Sequence, residues 1–216
     1  MSRGSQEPHP PEDRTPQSPI GRRAAAVAGH SGDENTARKL LVDASPGVRA
    51  TALAALARMG AATDADVATA LVDPVAQVRR RACEAAVTHP AVDLRALLAD
   101  GDPMVVEAAA WALGERGPGV ATDPPDQADD PVDHLVAVAG GHDDPLCREA
   151  AVAALGAIGD VRGLPAILAA TSDKPAVRRR AVIALAPFDG PEVDAALLRA
   201  LDDRDWQVRQ AAEDLS

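Results

Sequence analysis

The sequence predicts an all-α fold, an α–α superhelix of about six helix-pair repeats behind a leading half-repeat. Three observations predict it. Alanine fills 48 of the 216 positions, while the chain holds no Tyr, one Phe and two Trp. Alanine is the best helix former and lets helices approach closely, whereas a β-sandwich core calls for aromatic and β-branched side chains. A phrase of the form P-x-V-R-x-x-A returns along the chain, and self-similarity at a period of 20–50 residues is the mark of a repeat array. Between its copies lie shorter stretches whose apolar residues fall at i, i+3, i+4 and i+7, the helical period.

The phrase reads "SPGVRATALAAL" from Ser45, "DPVAQVRRRACEAA" from Asp73, "DPMVVEAAAWALG" from Asp102, "DPLCREAAVAALGAIGD" from Asp144, "KPAVRRRAVIALAP" from Lys174 and "DWQVRQAAEDL" from Asp205. With the valine slot as anchor, the copies align on Val48, Val78, Val105, Cys147, Val177 and Val208, at steps of 30, 27, 42, 30 and 31 residues. A fainter copy, "SPIGRRAAAVAG" from Ser18, places Gly21 in the slot.

Each copy has the chemistry of a helix start. A Ser or Asp side chain at the N-cap accepts from a free backbone N–H, and Pro at the first helical position loses nothing by lacking one. Ser18-Pro19, Ser45-Pro46, Asp73-Pro74, Asp102-Pro103 and Asp144-Pro145 fit this reading, while Lys174-Pro175 keeps the proline without the cap. The stretches "ENTARKLLVD", "DADVATALVD", "AVDLRALLAD", "VDHLVAVAGG", "GLPAILAATS" and "EVDAALLRAL" are then the first helix, A, of each pair, and the phrase opens the second, B. A single pair cannot bury its apolar face, but stacked neighbours can.

Between Asp143 and Asp160 the chain follows P-x-V-R-x-x-A-x-x-A-L-G-x-I-G-D almost completely. This resembles the HEAT-like repeats of the phycobilin-lyase type, and the resemblance extends over residues 19–216. It implies an armadillo-like helical fold. The resembled family includes bilin lyases, an iron-dependent hydroxylase, extensions of tRNA-modifying reductases and many scaffolds, so it does not by itself choose a function.

The residue after the anchor is Arg22, Arg49, Arg79, Arg148, Arg178 and Arg209, with Val106 in the third repeat. Five residues before the anchor stand Asp43, Asp73, Asp100 and Asp203, with His142 and Ser172 in the fourth and fifth repeats. Stacking brings each arginine beside an aspartate of a neighbouring repeat, and a planar guanidinium bonds a carboxylate and turn carbonyls together. A structural ladder is therefore expected. At 100° per residue the anchor and positions +4, +7, +8 and +11 form the buried face. Positions +2 and +6 point the other way, into the concave groove of a HEAT-like array. Arg80 and Arg179 are expected there, with Arg81 and Arg180 on the flank. Trp111 takes position +6 in the third repeat, where others carry Ala54, Glu84, Ala153, Ile183 and Asp214. Trp111, Arg80, Glu84, Glu107, Arg179 and Ile183 are thus the candidate partner-binding residues.

The long step contains "GPGVATDPPDQADDP", residues 117–131, which has four aspartates, four prolines and no basic residue. A flexible acidic insertion is expected there, and a disordered tail over residues 1–18. In the last repeat Glu213 replaces the apolar residues found at Cys83 and Val182, as a terminal cap requires.

Catalytic chemistry is hard to find. The five histidines are scattered, and the chain has no His-Glu dipeptide, the feature by which the resembled hydroxylases bind iron. No phosphate-binding loop is present, and Cys83 and Cys147 have no zinc or iron–sulfur spacing. The expectation is no enzyme, no metal and no cofactor. A net charge of -11 and 1% aromatics speak against a nucleic-acid module, including a HEAT-type glycosylase. With two cysteines, no apolar leader and no long apolar run, a cytoplasmic protein off the membrane is expected, as a monomer. The favoured reading is a non-catalytic protein-binding scaffold or adaptor that takes another protein or peptide segment. The alternatives are a bilin lyase-like or chaperone subunit, or a HEAT-type enzyme such as an iron-dependent hydroxylase, whose motif is absent.

Overall fold

A computed structural model of the chain describes residues 19–120 and 130–215. Among the described residues there is no strand, and twelve α-helices follow one another. The leading half-repeat is α1 (Pro19–Ser31). Two pairs follow: α2 (Glu34–Lys39) with α3 (Pro46–Met59), and α4 (Asp64–Leu71) with α5 (Ala76–Ala86). The third repeat contributes α6 (Pro103–Arg116). The last three pairs are α7 (Pro131–Gly141) with α8 (Pro145–Ile158), α9 (Leu164–Ala170) with α10 (Pro175–Ala184), and α11 (Pro191–Leu201) with α12 (Trp206–Glu213). Helices α1, α3, α5, α6, α8, α10 and α12 each pack on the next and form one layer, and the A elements form the other. This is an all-α, HEAT-like superhelix. No described helix is long and apolar enough to cross a membrane.

The buried face is the one the period implies. All six anchors from Val48 to Val208 are buried, as are Ala52, Ala82, Ala109, Ala151, Ala181 and Ala212 at position +4. Leu56, Leu113, Leu155 and Leu185 at position +8 are closed to solvent as well. The two thiols belong to this core. Burial pushes Cys83 up to about 12 and Cys147 up to about 11, so both stay protonated and unreactive at neutral pH.

Small residues set the spacing within the B layer. A Cβ on Gly114 would sit 2.9 Å from the Ala154 Cα, and one on Gly156 would sit 2.7 Å from the Ala184 Cα. At these two crossings backbone meets backbone, which only glycine opposite alanine permits.

The arginine ladder is present, and each rung has the same geometry. Arg49 grips the Asp73 carboxylate with Nε and Nη2, both at 2.8 Å, while Nη1 donates to the Asp43 carbonyl at 2.9 Å. Arg79 grips Asp100 at 2.7 and 2.8 Å and donates to the Asp73 carbonyl at 2.9 Å. Arg148 holds Asp173 at 2.7 and 2.8 Å, and Arg178 holds Asp203 at 2.9 and 2.7 Å. Arg209 keeps the carbonyl bond, to Asp203 at 2.7 Å. Each aspartate also accepts a turn N–H, as Asp73 does from Val75 at 2.9 Å and Asp203 from Asp205 at 2.8 Å.

The ladder departs from the expected one in three places. The fifth repeat uses Asp173 rather than Ser172, because its turn is one residue shorter; Asp173 accepts from Lys174 N at 2.6 Å. Among the described residues Arg22 does not pair with Asp43; its stem lies over Gly47, and the Asp43 carboxylate accepts only from Ser45 N at 2.8 Å. Between the third and fourth repeats both partners of the rung are replaced. Val106 is fully buried, and His142 keeps only the local task, its Nδ1 accepting from Asp144 N at 3.0 Å.

Other expectations also need correction. The stretch "AVDLRALLAD" forms only a 3-10 turn at Arg95–Ala99, behind Asp93, whose carboxylate accepts from the Arg95 backbone and side-chain N–H groups. Asp102, Asp144 and Asp205 cap their helices by side chain, but Ser45 makes no cap bond. Asp73 lies two residues outside the Val75 N-cap of α5. At these two starts Asp43 and Asp73 bond the turn N–H groups of Ser45 and Val75. The expected insertion at 117–131 narrows at both ends. Gly117–Val120 forms a 3-10 turn, and Asp130 is buried, accepting from Val132 N at 2.8 Å and from Arg162 at 3.1 Å. The rest of that insertion, like the tail expected over 1–18, lies outside the described residues.

The ladder is open to test by substitution and by pH. Arg148→Ala is expected to cost about 1–3 kcal/mol, from lost charge-assisted bonds and an unpaired Asp173. Arg179→Ala should cost less than about 0.5 kcal/mol, as an exposed change does. Equal losses in chemical denaturation would show that the rungs do not clamp the stack. The arginine hydrogen bonds hold Asp100, Asp173 and Asp203 below the ordinary aspartate pKa of 3.8, against the opposing effect of burial. A depressed carboxylate stabilises the fold fully above its unfolded value and loses that contribution as pH falls through the lowered folded value. Thermal stability is therefore expected to hold from pH 7 to 5 and to fall below about pH 4. An Arg148→Ala/Asp173→Asn variant should show a smaller fall in a pH series of melting curves.

Candidate functional site

The stripe at positions −1, +2 and +6 of the B helices faces away from the core and lines a run of open hollows, one at each crossing from α5 onward. The first lies between α5 and α6 and is lined by Arg80, Glu84, Met104, Glu107, Ala108 and Trp111. The second, of about 470 Å³, continues from Glu107 and Trp111 past Gly114 and Glu115 to Leu146, Glu149, Ala153 and Arg180. The third, about 500 Å³, shares Ala153, Ala157 and Arg180 with the second and reaches Ile183 and Pro187. The fourth, also about 500 Å³, runs from Arg179 and Ile183 to Trp206, Gln210, Asp214 and Leu215. Shared walls join the four into one groove across five B helices.

Its floor is alanine, which leaves room, and its walls carry the exposed apolar side chains. Trp111 is 45% exposed, Leu146 52%, Ile183 38% and Trp206 63%. Large apolar side chains lined up along one groove are the informative kind of exposure; single ones elsewhere, such as Val72 or Val161, are ordinary surface.

The charges along the groove fall into two kinds. Arg80 pairs with Glu84 at 3.5 Å, Arg81 also bonds Glu84, and Arg180 lies 3.5 Å from Glu149. These pairs are partly exposed and hold the groove wall more than the fold. Glu107 and Glu115 have no ion pair among the described residues. They stand one turn to either side of Trp111 on α6, so the indole sits between two free carboxylates.

The structure gathers the candidate residues at the two ends of the groove. Trp111, Arg80, Glu84 and Glu107 meet at the first hollow, and Arg179 with Ile183 at the fourth. Arg180, expected on the flank, lines two hollows instead, because the groove floor of small residues is wide enough to admit position +3. Sequence reasoning missed Met104, Leu146 and Trp206. The first two occupy position −1, three residues before +2 and so on the same helical stripe. Trp206 replaces the proline that opens α3, α6, α8 and α10, a visible break in the refrain. Among the described residues no three His, Cys, Asp or Glu side chains gather as a metal site would require.

Helix pairs stacked in two layers, clamped by Arg–Asp rungs and opening a groove along the B helices, define a HEAT-like helical repeat fold. The family profile described as HEAT repeats matches residues 132–215, the last three repeats. Similar solved structures include human deoxyhypusine hydroxylase in complex with glycerol, 21% identical, with a TM-score of 0.44 over 94% of this chain and 80% of that one. An engineered protein is 21% identical, with a TM-score of 0.46 over 90% of this chain and 85% of that one. A designed armadillo repeat protein is 16% identical, with a TM-score of 0.43 over 90% and 88%. No curated protein matches the chain.

The exposure of Trp111 is directly measurable. In a Trp206→Phe variant, emission from the remaining tryptophan is expected at a solvent-exposed wavelength and open to acrylamide quenching. A blue-shifted, protected emission would place the indole in the core and close the groove.

Proposed function

We propose that this chain is a non-catalytic protein-binding scaffold or adaptor whose B-layer groove receives a segment of another protein. The observation that carries the reading is the continuity of the groove: four hollows in register, with an alanine floor and Trp111, Leu146, Ile183 and Trp206 exposed along its walls. Exposed tryptophan is the commonest anchor at protein interfaces, because a wide rigid face is desolvated at small entropic cost. The thiols of Cys83 and Cys147 are buried and held protonated, so neither offers a nucleophile to this face. The cytoplasm is the proposed setting, and the phycobilin-lyase-type repeats the proposed branch of the HEAT repeats.

The test compares capture by the wild-type chain and by Trp111→Ala from lysate of the source organism, followed by reconstitution with the purified captured protein. A partner is expected whose affinity falls at least tenfold with Trp111→Ala, while the melting temperature of the variant stays within a few degrees. A partner bound equally by both would move the binding surface elsewhere. Turnover of a substrate by the purified chain would replace the scaffold reading with an enzyme.

A further inference from the structure

The groove is not uniform in charge, and the pattern specifies what it would hold. At its α5 end the carboxylate of Glu84 is shared by Arg80 and Arg81, and in the middle Glu149 is matched by Arg180. Among the described residues the groove carboxylates without an ion pair are Glu107 and Glu115, which stand together on one face of α6, and Asp214, which shares the far hollow with Arg179. The two glutamates flank Trp111 at i−4 and i+4, so the three side chains rise in a row with Cβ atoms about 5–6 Å apart. A guanidinium or ammonium laid on the indole would meet the negative face of the ring and a carboxylate on either side. Cation–π attraction contributes about 0.5–2 kcal/mol in such a place, more as the site is desolvated. Beside it, the second hollow has room for an aliphatic side chain between Leu146 and the floor of Ala150, Ala153 and Ala154.

The spacing of the hollows indicates the form of the occupant. Each lies between consecutive B helices, and packed helices stand about 8–10 Å apart. An α-helix advances about 10.5 Å in seven residues, so side chains at i and i+7 meet equivalent positions of successive hollows. An extended strand repeats its face about every 6.6 Å and falls out of step.

We propose, resting on the scaffold reading, that the groove binds a basic amphipathic helix of a partner protein. One arginine or lysine of that helix stacks on Trp111 between Glu107 and Glu115. Apolar side chains at heptad spacing enter the second, third and fourth hollows against Leu146, Ile183 and Trp206. The attraction is local, since the ladder carboxylates are already taken by their own arginines, but the acidic chain as a whole adds long-range steering of a basic partner.

A display library of random 16-residue peptides, selected on the full-length chain, tests this before any natural partner is identified. The enriched peptides are expected to carry Arg or Lys, to place apolar residues at i, i+3 or i+4 and i+7, and to become helical on binding by circular dichroism. Their affinity should fall at least fivefold for a Glu107→Gln/Glu115→Gln variant and fall again with added salt. Both substitutions are on exposed or half-exposed positions and keep side-chain shape, and far-UV circular dichroism confirms that the variant stays helical. An enriched pool of neutral or acidic peptides, a loss below fivefold in the double variant, or no enrichment at all would overturn the proposal. If the peptides depend on Trp111→Ala but not on the two glutamates, the groove still binds and the cation site is wrong. If they ignore all three substitutions, the scaffold reading of this groove falls as well.

Discussion

The grip of one guanidinium on the next repeat's aspartate organises this molecule. Its Nε and Nη2 hold a carboxylate across the stack, and its Nη1 holds a carbonyl of its own turn, so one side chain fixes both the register between repeats and the bend within one. The aspartate answers in kind by accepting from a turn N–H. Lysine, a point charge with three tetrahedral donors, lacks the planar fork that bonds both groups in one plane. The apolar layers need this help: a core of alanine, valine and leucine with small side chains at the crossings slides easily, and directional bonds at each step remove that freedom.

Once the B helices are held at this spacing, the groove follows. Alanine and glycine on the face between helices bring backbones together and leave the outward stripe shallow and wide-floored. Any large side chain on that stripe then stands clear of its neighbours. Trp111 is exposed because it occurs where the array provides no second layer to cover it, and the same holds for Ile183 and Trp206.

Most of the fold was legible in the sequence because each repeat states it again. The anchor, the buried positions +4 and +8, the arginines and the stripe through Trp111 are all periodic, and periodicity survives local variation. What could not be read was set by competition at single turns. The turn before α10 is one residue short, so Asp173 rather than Ser172 meets Arg148. Ser45 makes no cap bond, and its buried hydroxyl has no hydrogen-bond partner among the described residues. The A element of the third repeat shrinks to a 3-10 turn where Asp93 holds Arg95. At the groove, positions +2 and +6 point to Trp111, Arg80 and Ile183. Met104 and Leu146, one step along the same stripe, escape that pattern because they precede the anchor rather than follow it.

The two departures at the third junction carry a different kind of information. At the four joints where a rung forms, one repeat shows a guanidinium to its successor and the next shows a carboxylate to its predecessor, so these ends are alike from joint to joint. Val106 and His142 stand in those two slots, the one buried and the other bonded within its own turn. The fourth repeat placed after the second would show an imidazole to Arg79, and the fifth placed after the third would show Asp173 to a valine. The place of units three and four in the array is therefore marked in the chain, since neither could stand in for a rung-forming unit without leaving a charged partner unmatched.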